Sequence, residues 1–140
     1  MTLGPLVVDS SAIVAILTEE SEATVFSDLL DARPISYCSS VTFVETFMVL
    51  SSRIANLSVA GLAAALQTLA IEQRPVDAEQ SGLASEAFLR FGKGRHPAKL
   101  NLGDCFSYAL AKSLQAPLLY KGEDFARTDI ASALTAGARP

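Results

Sequence analysis

The chain has no tryptophan, a single histidine (His96) and only two cysteines (Cys38 and Cys105) among 140 residues. Each shortage excludes a chemistry. Zinc sites gather several His and Cys at short spacing; here neither Cys has a CxxC partner and His96 stands alone, so zinc is not expected. Both cysteines lie inside hydrophobic segments and read as buried free thiols of a reducing cytosol, not as a disulfide. No apolar run reaches the ~18 residues of a membrane span. The N-terminus lacks a basic segment ahead of an apolar one, so no signal peptide is expected. Charge is scarce too, at 19% of residues with a net value of −4, so the total shows no excess of cations for nucleic acid. What is abundant is hydrophobicity, half of all residues, which rules out a disordered tail. Residues 1–140 are therefore expected to form one cytoplasmic domain with a sizeable core.

Strand and helix signals alternate without a linker or repeat. "LVVDS" (Leu6 to Ser10) reads as a buried parallel strand, followed by "SSAIVAILTEE" as a helix capped by Ser10 or Ser11. "SEATVFSDLLDA" continues as an amphipathic helix with Val25, Phe26, Leu29 and Leu30 inside. "RPISYC" is a second strand and "SSVTFVETFMVLSSRI" a strongly apolar helix. "SVAGLAAALQTLAIEQ" is the next helix, with Ser58 as its cap, and "RPVDA" a short third strand. "AEQSGLASEAFLRFGK" is a helix ended by Gly92 and Gly94. A loop, the helix of "LNLGDCFSYALAKS", the fourth strand "APLLYKG" and "EDFARTDI" complete the chain. This alternation predicts an α/β fold: a three-layer α/β/α sandwich around a mostly parallel sheet of four to five strands. Ligands of such sheets bind beyond the carboxyl ends of the strands, near a switch in strand order.

Four acids map to that edge. Asp9 ends the first strand. Asp104 opens a helix whose neighbours Leu102, Phe106, Ala109 and Leu110 are apolar. Taken alone it reads as a helix cap. Asp124 lies just past the fourth strand. Glu45 is the odd one: at ~100° per residue it shares a stripe with Val41, Val44, Met48 and Ser52, so it is expected to point with apolar side chains and away from solvent. Carboxylates gathered without basic partners repel one another, and a divalent cation resolves the conflict. An acid-only donor set suits Mg²⁺ or Mn²⁺, which retain waters and engage phosphates. The chemistry that follows is hydrolysis or transfer at a phosphodiester, with one or two metals activating water.

The stretches "VVDSSA", "SSVTFVE", "NLGDCFSYALA" and "PLLYKGEDFARTDI" together resemble the PIN domain, and more closely its VapC-type branch, the toxins of bacterial toxin–antitoxin pairs. The likeness runs from Val7 to about Ile130. It implies a Mg²⁺-dependent endoribonuclease that cleaves structured RNA, transfer or ribosomal, and is held inactive by an antitoxin protein. The residues it carries over as catalytic and metal-binding are Asp9, Glu45, Asp104 and Asp124, the same four.

Neighbouring residues receive supporting roles. Ser10 or Ser11 either orients Asp9 or caps the helix. Ser40 and Thr42 precede Glu45 and support the site, unless Ser39 or Ser40 simply caps. Asp129 is left as a cap or surface acid. The acid-free stretch "RFGKGRHPAK" holds Arg90, Lys93, Arg95 and Lys99, four of the eleven cations. Together with Lys121 beside Asp124 it is read as an RNA contact, with Arg95, Lys99 and Lys121 on phosphates. The helix from Ser39 to Ile54 is apolar all round, with Phe43, Phe47 and Leu50 opposite Glu45. It is expected to be buried on every side, by a neighbouring helix or by a second subunit of a homodimer.

Two rival functions fit less well. A Mg²⁺-dependent phosphatase of the haloacid-dehalogenase kind wants an acid two residues after the first Asp, where Ser11 stands. A receiver domain wants paired acids that "LVVDSSA" lacks. A non-catalytic RNA- or protein-binding module, its acids serving as caps, leaves Glu45 on its stripe unexplained.

Overall fold

The computed structural model describes residues 3–137. Its chain order is β1 (Val7–Val8), α1 (Ser10–Leu17), α2 (Ala23–Asp31), β2 (Ser36–Ser39), α3 (Ser40–Ser51), α4 (Val59–Thr68), β3 (Ile71–Arg74), α5 (Ala78–Phe91), α6 (Leu102–Leu114), β4 (Leu118–Leu119) and α7 (Ala133–Gly137). A 3-10 turn at Phe125–Arg127 follows β4. The four strands form one parallel sheet in the order β3-β2-β1-β4. This is the three-layer α/β/α arrangement expected, with four strands.

Parallel strands are covered on both faces, so successive side chains of one strand serve two cores. Leu6 and Val8 point into a cluster with Ile13, Phe26, Leu30, Leu50, Leu62 and Leu66 from α1 to α4. Val7 points the other way, into a cluster with Ala87, Phe91, Tyr108, Leu110 and Leu118 from α5, α6 and β4. Cys38 and Cys105 are free and buried, one in each core. Burial pushes their thiols up to about 12 and about 11, so neither is a nucleophile near neutral pH.

The third strand is corrected. It is Ile71–Arg74, paired with Ser36–Ser39, and not "RPVDA". The preceding helix stops at Thr68, where Ala70 adopts a left-handed φ of 55°. As an edge strand β3 buries only Ile71 fully, leaving Glu72 and Gln73 exposed. One apolar residue carries no alternation to detect.

The reading of α3 also needs correction. Its inner face does bury Phe43 and Leu50, but Val44 is 56% and Met48 67% exposed. The stripe carrying Glu45 therefore faces outward, and the helix is not buried on every side within the chain. Amphipathic patterning fails here because both faces are apolar.

The strand order places the site. From β1 the chain moves through β2 to β3 on one side and returns to β4 on the other. The crevice at this reversal lies beyond the carboxyl end of β1, where Asp9 stands.

Candidate active site

Asp9 is buried to 2% exposure and is held from three directions. Its Oδ2 accepts hydrogen bonds from the Ser11 backbone N–H (3.0 Å) and the Ser11 hydroxyl (2.7 Å). Its Oδ1 accepts one from the Ser107 hydroxyl at 2.6 Å. Asp9 itself is thus the N-cap of α1, displacing Ser10 and Ser11 from that role, because a carboxylate at the strand end already reaches the first free N–H. Ser11 is in turn fixed by the Lys121 backbone N–H, which donates to its Oγ at 3.0 Å. The Ser107 hydroxyl is 3.2 Å from that of Thr42, both fully buried. A chain of hydroxyls therefore links α3, α6 and the β4 loop to one carboxylate.

Glu45 is half-buried. Its Oε1 accepts a hydrogen bond from the Ser10 hydroxyl at 2.7 Å. What covers it is the first turn of α6. A Cβ built on Gly103 would overlap both carboxylate oxygens and stand 2.5 Å from Cδ. Glycine is required at position 103 because the Glu45 carboxylate occupies the space of its missing side chain. Desolvation raises the Glu45 pKa, opposed by the Ser10 hydrogen bond and reinforced by the charge of Asp9.

Asp104 sits at the third position of α6 and closes a capping box. Asn101 Oδ1 accepts from the Asp104 backbone N–H at 2.9 Å, and Asp104 Oδ2 accepts from the Asn101 N–H at 3.0 Å. Capping occupies only one of its oxygens. Its pKa is pushed up to about 7, first by burial, against the Asn101 hydrogen bond, and then by the charges of Asp9, Glu45 and Asp124. Asp124 is exposed and makes no capping hydrogen bond, and its charge acts on Asp104 together with those of Asp9 and Glu45.

The structure thus brings Asp9, Glu45 and Asp104 within mutual electrostatic reach, with Asp124 on the rim. No salt bridge joins a cation to any of the four among the described residues. No three acid, cysteine or histidine side chains among those residues already close around a point as a metal cage. This arrangement fits a hydrated divalent cation. Mg²⁺ is commonly held by one or two carboxylates and completes its shell with water and substrate phosphate. Asp9, Glu45 and Asp104 would hold it, and its charge would relieve the repulsion that raises Asp104.

The predicted supporting residues divide. Ser10 and Thr42 touch the site as described. Ser40 instead donates to the Arg74 carbonyl at 3.3 Å, tying α3 to β3, and Ser39 caps α3. The ammonium of Lys121 is engaged by Glu20 and, at 3.4 Å, by Glu22, so this residue reaches the site through its main chain. Arg95 and Lys99 are exposed in the loop between α5 and α6. Asp129 lies apart, bonded to Tyr108, Lys112 and Arg90. Sequence reasoning missed Asn101, Gly103 and Ser107. Ser107 carries no local signal; only its approach to Asp9, 98 residues away, makes it part of the site.

A PIN domain family model matches residues 6–131. A Ribonuclease VapC of Mycolicibacterium smegmatis is 43% identical over 127 residues, covering 91% of this chain and 98% of that protein. Ribonuclease VapC30 of Mycobacterium tuberculosis is 42% identical over 127 residues, covering 91% and 97%. Among solved structures, Mycobacterium tuberculosis VapC20, described as a Sarcin-Ricin loop cleaving toxin, shares the fold with a TM-score of 0.72 at 18% identity. That match covers 96% of this chain and 99% of the other. A toxin–antitoxin complex from Klebsiella pneumoniae contains a chain matching at a TM-score of 0.65 and 16% identity, covering 89% and 92%.

Proposed function

Because this chain belongs to the PIN domain family and to its VapC ribonuclease branch, we propose that it is a Mg²⁺-dependent endoribonuclease toxin that cleaves structured RNA, transfer or ribosomal. The observation that carries the reading is the trio of buried Asp9 and half-buried Glu45 and Asp104, mutually repelling and with no salt bridge among the described residues, at the switch point of the sheet. When bound, Mg²⁺ (or Mn²⁺) would supply Lewis acidity at the phosphate and lower the pKa of a water.

The chain's own residues do the remaining work. Ser11 and Ser107 lock the two oxygens of Asp9 in fixed directions, and Ser10 aims Glu45 across the crevice. The free oxygen of Asp104 faces the same charges. With its pKa near neutrality, this carboxyl is able to hold a proton before the cation arrives and release it on binding. The overall reaction adds a water oxygen to phosphorus and breaks one ester P–O bond. Arg95 and Lys99 steer the polyanion towards an edge that would otherwise repel it.

The protein would act in the cytoplasm, with residues 1–140 as one nuclease domain, restrained by an antitoxin protein. No helix among the described residues is long and apolar enough to cross a membrane. The outward stripe of α3, Val44, Met48 and Val49 beside Leu102, leaves an apolar groove of about 720 Å³ open. A patch of this kind marks a protein interface, and a homodimer would cover it. Sedimentation of a dilute sample at 14.8 kDa would exclude that dimer.

Cleavage of a total small-RNA pool by antitoxin-free protein, with Mg²⁺ or Mn²⁺, with EDTA, and with folded Asp104→Asn, tests the activity. Discrete fragments that require metal and vanish in the variant are expected. Equal cleavage by the variant would return Asp104 to capping alone.

A further inference from the structure

We propose that the groove between α5 and α6 receives a nucleobase of the substrate RNA next to the scissile phosphate, a reading that rests on the ribonuclease function above. The groove has a volume of about 600 Å³ and is lined chiefly by apolar side chains, among them Phe88, Leu102, Cys105 and Phe106, with Ser81, Ser85, Lys93 and Asn101 as polar groups. That size and that sparse polarity suit a flat heterocycle. Phe88 is 42% exposed, and the Arg95 guanidinium lies over its ring at 5.3 Å. A stack of guanidinium and ring is the platform on which unpaired bases bind.

The occupant is chosen by charge. Lys93, Arg95 and Lys99 are exposed, and among the described residues no acid lies within ion-pair distance of them. Arg53, Arg90, Lys112 and Lys121 are all paired with acids. Three unpaired cations on one loop of a chain with net charge −4 complement a polyanion. The groove on α3, lined by Val44, Glu45, Met48 and Val49 and meeting this one at Asn101 and Leu102, carries no cation. The α5–α6 groove ends at Asn101, the cap of α6, three residues from Asp104. A base seated there delivers its own phosphate to the acids.

The test compares wild type, Phe88→Ala and Lys93→Glu in three measurements: small-RNA cleavage, Mn²⁺ affinity by calorimetry, and quenching of a short oligoribonucleotide carrying 2-aminopurine. Loss of one base–aromatic stack predicts roughly a tenfold fall in kcat/KM for Phe88→Ala, mostly in KM, with Mn²⁺ affinity unchanged. Lys93→Glu is expected to weaken binding in the same way and to reduce its salt dependence. Quenching is expected with wild type and lost in Phe88→Ala. Wild-type KM and quenching in Phe88→Ala would overturn the proposal. So would sedimentation of that variant at half the wild-type mass, which would make the groove a subunit interface. If wild type cleaves no RNA the ribonuclease reading falls, while 2-aminopurine quenching still decides the groove.

Discussion

Two aspartates packed on the same helix face opposite conditions. Asp129 lies against the middle of α6, where the Tyr108 hydroxyl donates to it at 2.5 Å and Lys112 and Arg90 stand at 3.1 and 3.5 Å. Burial pushes its carboxyl up, but these hydrogen bonds and charges more than offset that and hold it below the usual range. Asp104, at the start of α6, is pushed up to about 7 first by burial, against one hydrogen bond from Asn101, and then by three acidic neighbours, with no salt bridge to a cation among the described residues. The first acid has its partners within the fold and fastens the segment after β4 to two helices. The second has only its capping partner Asn101 and no salt bridge among the described residues, the condition expected of a site that an outside cation completes.

Removing the unpartnered acid gives the largest effect. Asp104→Asn keeps a side-chain acceptor for the capping box, so the fold survives while metal-dependent cleavage is abolished. Its pH signature sharpens the contrast. The folded pKa of Asp104 lies above its ordinary value of 3.8, so the folded state binds more protons between that value and about 7. Stability of metal-free protein should therefore fall as pH rises through this window. Thermal melts in EDTA should show the fall, and Mg²⁺ or Asp104→Asn should remove most of it. A flat profile in EDTA would mean that neither burial nor the neighbouring carboxylates hold Asp104 above its ordinary value.

Next in size is Gly103→Ala. Alanine in a helix ordinarily gains about 1 kcal/mol over glycine, but here the new methyl meets the Glu45 carboxylate. Melting temperature should change little while divalent-ion affinity drops ~10–100-fold, the range seen when residues that orient a metal's ligands are altered. Shortening the acid in Glu45→Asp/Gly103→Ala should restore part of the affinity, as a coupled pair requires. Calorimetric titration with Mn²⁺ reads both.

Ser107→Ala removes the 2.6 Å bond to Asp9. A hydrogen bond to a charged group contributes ~1.5–3 kcal/mol, so a loss of that order in chemical denaturation is expected, together with weaker metal binding. The smallest effect belongs to the partnered acid. Asp129→Asn should cost about 0.2–1 kcal/mol per exposed ion pair lost, read as a small shift in denaturation midpoint, with unchanged cleavage. Loss of cleavage in that variant would erase the distinction between the two aspartates.

Much of this site was legible because its parts obey local rules. Asp9 follows an apolar run that reads as a buried strand, and Asp104 stands in the first turn of a helix whose apolar neighbours make a bare acid conspicuous. Glu45 was found for a mistaken reason. Its stripe faces solvent, and its burial comes from Gly103, fifty-eight residues later in a different helix. Periodicity reports which residues share a face and not what that face meets. Ser107 was invisible for the same reason: a serine in a helix has no pattern, and only the 2.6 Å approach to Asp9, across ninety-eight residues, makes it part of the site.

The sequence by itself determined the layer architecture, the spacing of the four acids and the acid-free basic loop, because these depend on residue type and short-range order. Tertiary structure alone decided that β3 is Ile71–Arg74, that Lys121 spends its charge on Glu20 and Glu22, and that Gly103 makes room for Glu45. Each of these depends on how distant segments are packed together, and a carboxylate's partners are whatever the fold brings within a few ångströms.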